Sequence, residues 1–308
     1  MNVSIIIPTY NRNEILCRTI SNILLFEHQY HELIIVDQTK NHDIQTKIFL
    51  EDLSKNKRII YIFVENPNLP NARNVGISNS SGDIILFFDD DIEINEDTIP
   101  SHIKGFSQDD IGCVTGKVLI LNENRSQNLV LGNSGKIKGN IKSFFFLFFN
   151  KRASYVGRLG ILSDFSGEKN LPSDTCIGCN MSFRKDVFLK CGNFDTNYSG
   201  NAVREDTDMS IRLRNNGYKI IYISDAGIIH YMDNAGGTRT ASNDNYWYTF
   251  FKNQCFFYLK NFKYSYFYIF FIQFFDLIRC KKSGISSFSL FNKSFEDAKL
   301  LVNNNKEQ

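Results

Sequence analysis

No G-x-G-x-x-G follows the first apolar run of this 308-residue chain, and no G-x-x-x-x-G-K-[ST] occurs in it. The first absence removes the dinucleotide-binding fingerprint of hydride-transfer enzymes, and the second removes the P-loop enzymes. A basic excess is missing too: 35 Lys and Arg face 33 Asp and Glu, a net charge of +2, so nothing argues for a nucleic-acid binder. The N-terminal "MNVSIIIPTYNR" has neither a basic region nor a long apolar core, so no signal peptide is expected. Seven cysteines at irregular positions are then expected as reduced thiols of a cytoplasmic protein. Cys176 and Cys179 form a C-x-x-C without a second pair at metal spacing. They read as ordinary buried cysteines, with zinc or redox use as the alternative. Internal repeats and low-complexity linkers are absent as well.

What the chain does contain is an ordinary globular composition, 43% hydrophobic and 22% charged, able to bury a sizeable core. Short apolar runs alternate with mixed segments over the first 120 residues. Residues 3–8, 32–37, 58–64 and 83–88 read as buried strands. Residues 14–26, 44–53 and 71–79 between them read as helices. That order predicts an α/β fold with a largely parallel central sheet flanked by helices. Ligands of such sheets bind beyond the carboxyl ends of the strands, where Pro8, Thr9, Tyr10, Asp37 and Asp89–Asp91 fall. From 122 to 173 the pattern loosens, as in a lid or specificity loop, before a helix ending at Gly217 and the strand "YKIIYIS".

The run "GDIILFFDDD" places Asp89, Asp90 and Asp91 directly after a buried strand. At about 4 Å and an effective dielectric of about 20, two such charges repel by roughly 4 kcal/mol. A hard divalent cation with oxygen ligands offsets that repulsion and bridges carboxylates to phosphates. A solvated turn is the alternative. Strand alternation sends Asp89 and Asp91 one way and Asp90 the other. Arg73, near a helix start, suits a phosphate, a base edge or a surface salt bridge. Asp37 suits a nucleobase or ribose hydroxyl, or a helix N-cap.

In order, "SIIIPTYNR", "LIIVDQT", "NARNVGISNSSGDIILFFDDD", "GCNMSFRKDVFLKCGNFD", "REDTDMSIRLRNNGYKI" and "IIHYMDNAGGTR" resemble the family 2 glycosyltransferases of GT-A fold, over roughly residues 1–240. The resemblance implies an inverting transfer from a nucleotide-diphosphate sugar, a UDP- or dTDP-sugar, to a hydroxyl of a glycan. It assigns Pro8, Thr9, Tyr10, Asp37 and Arg73 to the nucleotide, Asp89 or Asp90 to the ribose, and Asp91 to Mn²⁺ or Mg²⁺ on the diphosphate. His230 resembles a histidine that completes the metal shell, with a core histidine as the alternative. Asp206 is the expected base for the acceptor hydroxyl, with Glu205 orienting the acceptor. The alternative for Glu205, Asp206 and Asp208 is an acidic first helical turn. Gly178, Cys179 and Asn180 resemble the loop lining the acceptor and donor-sugar pocket, although Cys179 stands where a smaller residue is common. Arg239, in a loop carrying two glycines, is expected to clamp the diphosphate or to sit in a surface turn.

Residues 241–308 read as a helical, aromatic-rich extension to a domain divided into a nucleotide half (1–121) and an acceptor half (122–240). Its longest uncharged run, Tyr264–Phe275, spans about 18 Å as a helix, short of the roughly 30 Å bilayer core. Phe267, Phe270, Phe271, Phe274, Phe275 and Ile278 recur at helical spacing between cationic flanks. That stripe predicts either peripheral membrane contact within 247–282, beside a lipid-linked acceptor, or packing on the protein or a second subunit. The apolar run 144–149 reads as part of the same surface or as buried. The rival readings are a sugar-nucleotide pyrophosphorylase and a silent glycan- or nucleotide-binding protein. The first lacks its Gly-rich basic loop after strand one, and the second has no need of a base.

Overall fold

The computed structural model describes residues 1–121, 130–131, 152–157, 160–231, 236–237 and 243–304. The apolar run 144–149, most of the loosely patterned insert and Arg239 lie outside them. The buried apolar runs form a parallel set: β1 (Val3–Thr9), β2 (Glu32–Asp37), β3 (Ile60–Phe63) and β4 (Ile84–Phe88). Their spatial order is β3-β2-β1-β4, so the chain reverses its winding between β1 and β4. That reversal opens a crevice at the carboxyl ends of those two strands. Helices α1 (Glu14–Leu24), α2 (Ile44–Lys55) and α3 (Leu69–Asn79) make the crossovers. The side chains of Asp43 and Asn68 cap α2 and α3, each accepting a backbone N–H three residues on.

Beyond β4 come β5 (Ile92–Ile94), helix α4 (Thr98–Gly105), β6 (Ile111–Ile120) and β7 (Val130–Leu131). A separate hairpin, β8 (Ser154–Gly157) with β9 (Gly160–Ser163), precedes β10 (Leu171–Ser173), β11 (Asn180–Arg184) and β12 (Lys219–His230). Strand β11 inserts antiparallel between β4 and β6, which extends the parallel set into one mixed ten-stranded sheet. Strand β12 runs parallel to β6 through an irregularity between Ile223 and Ile228 and ends at His230. The last strand therefore delivers His230 to the same sheet end as Asp89–Asp91, and Tyr231 N–H donates to the Asp91 carbonyl at 2.9 Å.

One expected strand needs correction. Residues 58–64 are not a buried strand: β3 is the sheet edge, with Ile60 and Phe63 exposed, because among the described residues no further strand pairs with its outer side. Four C-terminal helices, Asn243–Phe262, Tyr266–Ile272, Phe274–Lys282 and Ser287–Asn304, bury a cluster of their own around Trp247, Phe251, Phe256 and Phe291. Tyr198 and Ile211 of the sheet domain complete it. Among the described residues, no helix is long and apolar enough to cross a membrane.

Candidate active site

The triplet turns outward where β4 stops, and its three carboxylates part company as the alternation predicts. Asp90 faces β1: Thr9 Oγ1 donates to its Oδ2 at 2.7 Å, and Arg12 Nε lies 3.4 Å from its Oδ1. Burial, reinforced by Asp91 and Asp89, raises the Asp90 carboxyl to about 7 against the pull of Arg12 and Thr9. Asp89 and Asp91 turn toward His230 instead. His230 Nε2 stands 2.8 Å from Asp91 Oδ1 and 4.0 Å from Asp89 Oδ2. Burial alone would lower the imidazole, but the Cys179 thiol and Asp91 carboxylate raise it to about 11.

The positive partner demanded by the triplet is thus partly supplied by the chain. Arg12, 4% exposed, also reaches Asp91 Oδ2 at 3.3 Å. Sequence reasoning passed over it, although it stands two residues after Tyr10 in the quoted "PTYNR". The ligand atoms of Asp89, Asp91 and His230 still lie within 4.8 Å of one another. Around a cation with bonds of about 2.1 Å, neighbouring ligands stand about 3 Å apart and opposite ones about 4 Å. The two separations from His230, 2.8 and 4.0 Å, match those spacings, and carboxylate and imidazole are both ligands a divalent cation accepts.

Two cavities meet at this cluster. The first, about 350 Å³, is lined by Pro8, Thr9, Tyr10, Arg12, Gln38 and the triplet, among others. The second, about 390 Å³, is lined by Gly178, Cys179, Arg204, Glu205, Asp206 and apolar side chains such as Phe165. Leu69, Asp89 and His230 belong to both. Gly236 and Gly237 lie against the turn after β1, where Gly237 N–H donates to the Tyr10 carbonyl at 2.7 Å. Gly236 has φ +84°, and a Cβ there would stand 2.1 Å from the Asn11 carbonyl oxygen, so only glycine fits.

The acidic helix Glu205–Asn215 divides its three first-turn carboxylates among three tasks. Asp206 is half-buried in the second cavity and accepts the Gly178 N–H at 3.0 Å and the Thr207 N–H at 2.6 Å. Glu205 turns inward onto Arg73, which also donates to the Gly178 carbonyl at 3.1 Å and lies 3.9 Å from Asp89. Arg73 is 1% exposed, its guanidinium carbon 5.8 Å and 5.4 Å from the ring centres of Phe87 and Phe194. Burial opposes its charge, and Glu205 and Asp89 restore it, raising its pKa. Burial likewise raises Glu205 to about 7, although Arg73 pulls it down. Asp208, fully buried, holds the C-terminal helices: Lys260 and Asn261 donate to it at 3.0 Å each, and Tyr198 and Arg212 also bond it.

Three expected site residues are held by other side chains or backbone and do not line the first cavity, and Asp37 and Asn180 line neither. Arg73 lines the second cavity, not the first, with its fork engaged as described. Asp37 is 0% exposed and accepts from Tyr61 Oη and Thr39 N at 2.8 Å each, with His42 Nε2 at 2.5 Å; the N-cap of α2 is Asp43 instead. Asn180 is buried, its amide donating to the Lys117 and Ala226 carbonyls and its oxygen meeting His102 Nε2 at 2.8 Å. His102 Nδ1 lies 2.8 Å from Ser182 Oγ, and burial lowers its pKa to about 4. All seven cysteines are free; Cys176 is buried beside Met181 and Ser210.

Comparison with known proteins sets this site in context. Residues 4–192 match the family model described as glycosyl transferase family 2. Poly-beta-1,6-N-acetyl-D-glucosamine synthase of Staphylococcus aureus strain COL is 26% identical over 222 residues, 71% of this chain and 47% of the relative. The chain therefore spans about half the length of such relatives. A crystal structure of GalNAc-T7 with UDP, GalNAc and Mn²⁺ superposes with TM-score 0.60 at 14% identity, covering 84% of this chain and 50% of that one. S. aureus TarS 1-349 in complex with UDP-GlcNAc gives 0.54 at 15% identity, covering 85% and 68%. These likenesses establish the fold, which is the GT-A arrangement expected from the sequence.

Proposed function

The chain belongs to glycosyl transferase family 2, and from that premise we propose that it is a metal-dependent inverting glycosyltransferase. Its donor is a UDP- or dTDP-sugar, UDP-linked N-acetylhexosamines first, and its acceptor a hydroxyl of a glycan, lipid-linked or free, in polysaccharide synthesis. The observation that carries this reading is the meeting of two cavities at Asp89 and His230, with Asp206 in the second. The UDP-containing neighbours and the N-acetylglucosamine polymerising relative support the choice of donor. Residues 1–240 form the catalytic unit in this reading, and 241–308 an extension.

The first cavity takes the nucleotide diphosphate. Pro8, Thr9, Tyr10, Arg12 and Asp90 line it, and Arg239, outside the described residues, is the proposed diphosphate clamp. Asp89, Asp91 and His230 would hold a divalent cation, which would supply positive charge against the departing diphosphate. His230 must then be neutral, so metal loading releases its proton. Asp206 takes the proton of the acceptor hydroxyl, and three features place it for that task. It accepts two backbone N–H groups, it lies in the first turn of a helix, and it is only half-buried. Glu205 and Arg73 act as positioning residues that fix the Gly178 loop and the base helix to one another.

Asp206→Asn separates this reading from a silent binder. The variant is expected to bind UDP as the wild type does and to lose at least about a hundredfold in turnover. Unchanged turnover in the folded variant would remove Asp206 from the reaction.

A further inference from the structure

The C-terminal helices Tyr266–Ile272 and Phe274–Lys282 are amphipathic the wrong way round for a protein in water. Their inner stripe, Ile269, Gln273, Leu277 and Cys280, is buried, and Gln273 Nε2 there meets the Cys255 sulfur at 3.7 Å. Their outer stripe is more apolar than the inner one. Phe267 is 81% exposed, Phe271 66%, Phe274 48% and Phe275 75%, with Ile278 continuing the row. Phe270, expected on the same face, turns half inward against Phe291 at 5.5 Å between ring centres. It also meets Phe288 at 6.1 Å, and Phe288, 59% exposed on the next helix, widens the patch. Exposed rings in such number mark a surface evolved to be covered.

We propose that this face docks in the interface of an anionic lipid bilayer. The charge around the rings selects the occupant. Between residues 263 and 290 the chain carries Lys263, Arg279, Lys281 and Lys282 against the single carboxylate Asp276, which Arg279 already meets at 3.1 Å. All four cations are exposed. A second copy placed face to face would oppose four cations with four more, which costs association energy, whereas anionic headgroups neutralise them. The two helices are also too short to span a bilayer. They lie in its surface, with rings below the headgroups and Lys281 and Lys282 among them. The proposal stands whether or not the transferase reading does, because it concerns binding alone.

The test is flotation of the full chain with vesicles of phosphatidylcholine alone and of equal parts phosphatidylcholine and phosphatidylglycerol. Wild type is expected on the anionic vesicles only, with less bound as salt rises. Lys281→Gln with Lys282→Gln should weaken binding roughly 30-fold. Phe271→Ser with Phe275→Ser should weaken it roughly a hundredfold, with the thermal unfolding midpoint unchanged because both rings are already exposed. A folded wild type that ignores anionic vesicles, or binding indifferent to the phenylalanines, overturns the proposal. So does a dimer that the phenylalanine substitutions dissociate in a protein that binds no vesicle.

Discussion

Replacing Arg73 with methionine would test how the two halves of the site are held together. Its guanidinium is fully buried against Glu205, itself 4% exposed, and Arg73 Nε and Glu205 Oε2 have no hydrogen-bond partner among the described residues. Breaking a buried pair by deleting one partner costs about 3–5 kcal/mol, because the remaining charge is stranded. Here the stranded group can escape by protonation. Glu205 is already raised to about 7 by burial with Arg73 present, and losing Arg73 removes its principal lowering influence. The sign follows: a carboxylate whose folded pKa lies above its unfolded value costs stability as pH rises through that interval. Arg73→Met should therefore lose about 3–5 kcal/mol near pH 8 and distinctly less near pH 6. Adding Glu205→Gln should restore most of the loss at the higher pH. Urea unfolding of the three variants at both pH values gives the numbers. An equal loss at the two pH values, or no recovery in the double variant, would refute the stranded-charge argument.

Other consequences follow from the same contacts. His102 is neutral in the fold, its Nε2–H donating to the Asn180 oxygen, and its pKa is lowered from 6.5 to about 4. Stability is therefore fully present above about 6.5 and falls by up to about 3 kcal/mol as pH drops toward about 4, in an acid-unfolding series that His102→Gln should flatten. Asp208→Ala leaves Lys260 with Asp195 alone and takes the shared acceptor from Asn261, Tyr198 and Arg212, so the helices Asn243–Phe262 to Ser287–Asn304 should be cut first in limited proteolysis, with a loss of about 3–5 kcal/mol. Gly236→Ala forces a Cβ toward the Asn11 carbonyl and should displace the turn from Tyr10, weakening UDP binding about tenfold in titration with little change in unfolding.

The positions of the site were legible where local patterning governs. Buried apolar runs fixed β1, β2 and β4, and strand alternation separated Asp90 from Asp89 and Asp91 before any contact was known. Long-range pairings carried no such signature. Arg73 and Glu205 lie 132 positions apart and meet only because β11 inserts beside β4 and brings the Gly178 loop over α3. Arg12 escaped notice because its role depends on the turn after β1 folding back on the triplet. Asp37 was placed at the correct strand end, yet His42, five residues on, and Tyr61, on the neighbouring strand, claim its carboxylate. The phenylalanine stripe was plain, but its direction was not. Periodicity finds a stripe, and the usual rule then turns it inward, whereas here Ile269, Gln273, Leu277 and Cys280 face the protein.

The most direct test of the account is calorimetric titration of UDP into the folded chain with and without Mn²⁺, repeated on Asp91→Ala. The account predicts binding that needs both the ion and Asp91, with proton release from His230 when the ion is loaded. No binding of UDP or dTDP in the presence of Mn²⁺, or binding indifferent to Asp91, would contradict it.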